Sequence, residues 1–113
     1  MRNSKKDMIQ NETFGLKETM IQKIQSIFIK YSSIEKVILY GSRAKGNYKN
    51  GSDIDLTLIG DSLTYKLIGD IENDLDELYL PYTFDISIYK LLENDKLTNH
   101  INRVGKVFYE RLG

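Results

Sequence analysis

Two short runs rich in β-branched and aliphatic residues, Lys36–Tyr40 and Ile54–Ile59, are separated by a polar segment that opens with Gly41-Ser42 and closes with Asp53. Their length and composition predict strands. The first run is apolar almost throughout, which predicts a strand covered on both faces. The second alternates, Ile54, Leu56 and Leu58 against Asp55, Thr57 and Ile59, and Gly60 closes it. A connection of about a dozen residues between strands is long, and in a small domain such loops tend to carry function. Residues two apart in extended chain share a face, so Asp53 and Asp55 should project together toward whatever the Gly-Ser turn presents.

The rest of the chain supplies a frame. Residues 1–13 are polar without a sustained apolar period and are expected to form a flexible lead-in, leaving 14–113 as one domain. Met20, Ile21, Ile24, Ile27, Phe28 and Tyr31 predict a helix over 17–31 with one core face. Ser62 is expected to cap a second helix reaching residue 78, with Leu63, Leu67, Ile71, Leu75 and Leu78 inward and Glu72, Asp74, Asp76 and Glu77 in solvent. Beyond Pro81, residues 83–89 alternate again, Phe84, Ile86 and Ile88 on one face and Thr83, Asp85 and Ser87 on the other. Asn94 caps a last helix that ends at Gly105 and buries Leu97, Ile101 and Val104, and residues 106–109 fit a short edge strand. This order predicts an α/β (α+β) fold, a small mixed sheet of three to four strands backed by helices.

Composition narrows the chemistry. A chain of 113 residues has room for one domain. With 41% hydrophobic and 28% charged residues, no apolar run of spanning length and no signal-peptide core, it is expected to be cytoplasmic and without a membrane partner. Cysteine is absent and His100 is the one histidine, so disulfides and zinc sites of nitrogen and sulfur ligands are excluded. A bound metal must be a hard cation on oxygen ligands. Sixteen basic residues balance 16 acidic ones, and generic DNA binding is not expected. His100, beside Ile101, reads as a helix boundary residue rather than a base. Tyr48 fits a base-stacking or a hinge role equally.

Asp53, Asp55 and Asp85 fall on or beside strand ends that this pattern brings together. Carboxylates 5 Å apart repel by about 3 kcal/mol per pair at an effective dielectric near 20. Magnesium would relieve this, since it takes one or two carboxylates plus phosphate oxygens and water, and two ions could serve a nucleotidyl transfer. Gly41 lets the backbone approach a phosphate, the Ser42 hydroxyl adds a donor, and Arg43, Lys45 and Lys49 make a local basic cluster. Each piece alone has a plain reading: a solvated strand face, a turn, surface charges. Their order and spacing join them.

The string Tyr40-Gly41-Ser42-Arg43-Ala44-Lys45-Gly46, then Gly51-Ser52-Asp53-Ile54-Asp55-Leu56, resembles the signature of the DNA polymerase β-like nucleotidyltransferases, and in particular their minimal (MNT-type) branch. The likeness extends over residues 14–109. It implies that Gly41 and Ser42 bind the triphosphate, that Asp53 and Asp55 bind magnesium, and that Asp85 completes the metal site and activates the acceptor hydroxyl. Arg43 is expected to help hold the triphosphate. The implied reaction moves AMP from ATP to a hydroxyl of a protein partner, a helical HEPN-type toxin encoded nearby. The chain would then be the antitoxin of a toxin–antitoxin pair, in a homo- or hetero-oligomer. Two alternatives stay open: a non-catalytic antitoxin with a nucleotide-sensing site, and a small-molecule transferase of the aminoglycoside type.

Overall fold

The β-rich runs form strands where the pattern puts them, and one sheet gathers them. The computed structural model describes residues 12–112, so residues 1–11 of the expected lead-in lie outside the described part. Glu12–Thr13 (β1) pairs antiparallel with Leu16–Lys17 (β2). Then follow α1 (Glu18–Ile29), β3 (Lys36–Tyr40), α2 (Gly41–Lys45), β4 (Ile54–Ile59), α3 (Tyr65–Asp76), β5 (Phe84–Ile88), a 3-10 turn (Tyr89–Leu91), α4 (Asp95–Val104) and β6 (Lys106–Glu110). The main sheet has the order β5-β4-β3-β6 and is mixed. β3 runs antiparallel to β4 and β6, whereas β4 and β5, joined through α3, are parallel. The segment after Gly105 is an edge strand, as its sequence suggests, and the expected fold class holds.

Alternation along the strands divides the sheet into two unlike faces. Val37, Leu39, Ile54, Leu56 and Leu58 are fully buried and meet Ile21, Ile24 and Phe28 of α1 and Ile71 and Leu75 of α3. Each such side chain contributes about 1.5–3 kcal/mol of hydrophobic burial. The other face carries two rows across β3, β4 and β5. Tyr40, Asp55 and Asp85 are register partners in one, Ile38, Thr57 and Ser87 in the next. α4 covers the β3 end of this face, and Thr57, fully buried, accepts a hydrogen bond from Ser87 Oγ at 2.9 Å. A polar floor therefore underlies the acids. Among the described residues no helix is long and apolar enough to cross a membrane.

Three local expectations are corrected. Helix α3 is capped by Thr64, whose hydroxyl accepts from the Leu67 amide at 3.2 Å, rather than by Ser62. Both residues suit a cap; the later start leaves Leu63 to pack on the core and adds Ile68 to the buried face. α1 stops before Tyr31, which turns across to α3. There the Tyr31 hydroxyl donates to Asp74 at 2.5 Å, and Lys30 pairs with the same carboxylate oxygen at 3.0 Å. Asp74 thus faces α1, not solvent. Asn94 caps α4 as expected, accepting from the Leu97 amide at 3.1 Å.

The hydrogen bond from Tyr31 is the first cause of the lowered Asp74 pKa, and it is the largest cause of a Tyr31 pKa pushed up to about 12. An aspartate with a lowered folded pKa stabilises the fold above its ordinary value and loses that contribution as pH falls. A tyrosine with a raised one stabilises below its ordinary 10.0 and loses the contribution as pH rises toward about 12. Tyr31→Phe should lower stability by about 1 kcal/mol at neutral pH. In urea unfolding the gap from wild type should narrow below about pH 4 and above about pH 10.

Candidate active site

β3 ends where the chain must pass a carboxylate. Gly41 has φ +75°, a left-handed conformation, and a Cβ built there would run into the Asp55 carboxylate. Glycine is demanded both by the backbone and by the close approach. The Gly41 amide donates to His100 Nε2 at 3.1 Å, and the His100 ring meets the buried Tyr40 ring edge-on at 6.2 Å between centroids. Ser42 follows at the start of α2, partly exposed. The turn thus joins the end of β3 to the inner face of α4.

The acids gather beside this turn. Asp55 and Asp85 are register partners on parallel neighbours, which lie about 4.8 Å apart. Asp53 stands two residues before Asp55, just outside β4. Asp55 is half-buried, whereas Asp53 and Asp85 are exposed. Burial is the first cause of a raised Asp55 pKa; the charges of Asp85 and Asp53 push it further up, and the Arg43 guanidinium counters them. The Tyr40 pKa is also raised, by burial first and then by Asp85 and Asp55, against a hydrogen bond with Ser87 that lowers it. Among the described residues no three His, Asp or Glu side chains form a ready metal cage. Adjacent Asp55 and Asp85 nonetheless suit magnesium, which leaves most of its positions to phosphate and water.

Arg43 does something other than expected. It is 3% exposed, and its Nε and Nη2 donate to Ser52 O at 3.1 and 2.9 Å while Nη1 donates to Phe14 O at 2.8 Å. The guanidinium lies between the rings of Tyr48 and Tyr82, 5.2 and 4.9 Å from their centroids. Instead of reaching for a triphosphate, it fastens the 46–52 loop and the β1–β2 hairpin to α2. The reason is its place on the helix: the turn of α2 sends Arg43 beneath the 46–52 loop, where a planar five-donor group finds two carbonyls. Lys45 and Lys49 are exposed.

His100 is the residue that sequence reasoning undervalues. Leu97, His100, Ile101 and Val104 stand at i, i+3, i+4 and i+7, so His100 lies on the buried side of α4. That spacing is the signal that could have found it.

With this geometry in view, comparison with known proteins gives one answer. Residues 22–112 match the family described as Polymerase beta, Nucleotidyltransferase. The chain belongs to that nucleotidyltransferase family. A Methanocaldococcus jannaschii protein, named as a candidate protein adenylyltransferase, MJ0604, is 32% identical over 90 residues, covering 79% of this chain and 80% of the relative. Among solved structures, a chain of a toxin–antitoxin complex with AMP-PNP superposes with TM-score 0.66 at 18% identity, over 80% of this chain and 73% of that one. A chain of a variant MntA-HpeT toxin–antitoxin complex gives 0.63 at 21% identity, over 85% and 74%. These two likenesses are of fold.

Two stability changes follow from the site. Asp55 has a raised folded pKa, so its favourable contribution is complete below the ordinary 3.8 and is lost as pH rises through the raised value. Ionised Asp55 therefore opposes folding at neutral pH. Asp55→Asn should stabilise the metal-free protein by about 1 kcal/mol in urea unfolding, the part of the repulsion that solvent leaves unscreened. Arg43→Met keeps the buried stem and abandons two carbonyls. It should cost about 2–3 kcal/mol and expose the 46–52 loop to limited proteolysis.

Proposed function

We propose that this protein transfers AMP from ATP to a hydroxyl group of a protein partner, with magnesium. The observation that carries the proposal is the in-register pair Asp55 and Asp85 beside a turn whose glycine packs bare against Asp55. Asp53, Asp55 and Asp85 would hold the metal, which when bound would neutralise the triphosphate and favour departure of pyrophosphate. Gly41 and Ser42 would hold the phosphates, leaving Arg43 to keep the loop in place. Asp85, the more open of the paired acids, would take the proton of the acceptor hydroxyl. The acceptor oxygen bonds to the α-phosphorus as the bond to the pyrophosphate oxygen breaks.

The partner we propose is a helical HEPN-type protein, with this chain as its antitoxin. Support comes from the name of the M. jannaschii relative and from the toxin–antitoxin assemblies among the fold neighbours. It comes also from the position of Asp85, exposed on the edge strand β5, where a macromolecule can approach.

Incubation with α-labelled ATP, magnesium and the product of the adjacent gene should place label on that product. Changing Asp53→Asn with Asp55→Asn should reduce transfer by about a thousandfold or more, as expected when metal ligands are lost. A wild-type chain that binds the partner yet transfers no label would be a masking module, and the proposal would fall.

A further inference from the structure

We infer that His100 is a positioning residue for the nucleotide: by accepting the Gly41 amide hydrogen it fixes the orientation of the Gly41-Ser42 turn against Asp55. The inference rests on the nucleotide site proposed above and concerns how that site is kept in shape. Gly41 is the place where the turn is least determined by its own chain. It has no side chain to anchor it, and it adopts a left-handed φ of +75° that glycine can leave at little cost. The strand ladder ends at the preceding pair, Tyr40 with Asp55, so β4 offers no further register partner to Gly41.

The imidazole supplies what is missing. Its Nε2 lies 3.1 Å from the Gly41 nitrogen, and the nitrogen that accepts carries no proton, which places the ring proton on Nδ1. The ring and the helix that carries it are both held. Tyr40, 6% exposed, meets the ring edge-on at 80°, and Ile101, the next residue of α4, is 4% exposed and anchors the helix to the sheet. Fixing the amide fixes the peptide plane between Tyr40 and Gly41, and with it the direction in which Ser42 leaves the strand. The Gly41 Cα is also the atom packed against the Asp55 carboxylate. Any swing of the turn therefore displaces a phosphate-binding segment and a metal-binding carboxylate together. The amide that His100 occupies is that of Gly41, leaving the Ser42 hydroxyl for the nucleotide's phosphates.

A structural role alone would lower stability and leave ligand affinity as it was. The test therefore compares His100→Leu, which removes the acceptor, with His100→Gln, whose side-chain oxygen can replace it. Binding of AMP-PNP with magnesium is measured by calorimetry, and the Gly41 amide proton is followed by NMR in the nucleotide-free protein. His100→Leu should weaken AMP-PNP binding about tenfold and move the Gly41 amide proton upfield as its acceptor is lost. His100→Gln should recover affinity to within about threefold of wild type. In transfer assays the loss in His100→Leu should appear in KM for ATP more than in kcat.

Wild-type affinity in His100→Leu, or equal loss in both variants at equal thermal stability, overturns the inference while leaving the proposed function standing. An unchanged Gly41 amide shift in His100→Leu overturns it as well. A wild-type chain that binds no AMP-PNP would remove the nucleotide site itself, and with it any positioning role for the bond.

Discussion

Asp55 and Asp85 face one another across two parallel strands, with the Gly41 backbone pressed against one of them, and much of this small fold accommodates that arrangement. Neighbouring parallel strands fix such a pair at a separation where two ionised carboxylates repel, and burial of Asp55 adds to the penalty. Among the described residues no salt bridge offsets that charge. Arg43, whose charge acts on Asp55, directs its donors to main-chain carbonyls, and His100 gives its acceptor nitrogen to Gly41. Stability is held elsewhere, in the apolar face packed beneath α1 and α3 and in the Tyr31–Asp74 tie between those helices.

Arg43 shows how a short chain keeps a long loop in order. The 46–52 loop is exposed over most of its length and has little core of its own. Two guanidinium nitrogens hold Ser52 O, Ser52 Oγ accepts from the Lys49 amide at 2.8 Å, and Tyr48 lies over the guanidinium. The loop is thereby closed on itself one residue before Asp53. The first acid then leaves a fixed point, not a free tether, and β4 enters the sheet with Ile54 fully buried. The same guanidinium holds Phe14 O, so the β1–β2 hairpin and the site loop share one anchor.

What the residues reveal by themselves, and what they do not, divides along a physical line. β-Branched runs, two-residue alternation and the Asn94 cap are local properties, and they locate β3, β4, β5 and α4 to within a residue or so. The direction of a side chain on a five-residue helix is not such a property, because one position of difference turns it by about 100°. Arg43 stands next to Gly41-Ser42 and reads as a phosphate ligand, yet its place on α2 sends it to carbonyls. Asp74 and Tyr31 do not announce themselves as a pair, since nothing in either helix records the crossing of the other. His100 lies between these cases: its helical spacing marks the inward face, but what meets it there is a backbone amide from a residue 59 positions away.

The two edges of the sheet are finished differently, and this bears on how anything could reach the acids. On β6 the register shifts by a bulge between Val37 and Ile38, Lys106 and Glu110 are exposed at its ends, and Gln25 of α1 donates to Phe108 O at 2.8 Å. Bulges, charges and a covering side chain are the devices that keep an edge strand from pairing with another chain. β5 has a different character, since its N-terminal half carries Asp85 outward beside Asp55. An acidic edge repels acidic partners, and a bound cation would offset part of that charge. Under the proposed function, whatever approaches β5 would meet a surface whose charge depends on the site being filled, because Asp55 and Asp85 would serve both.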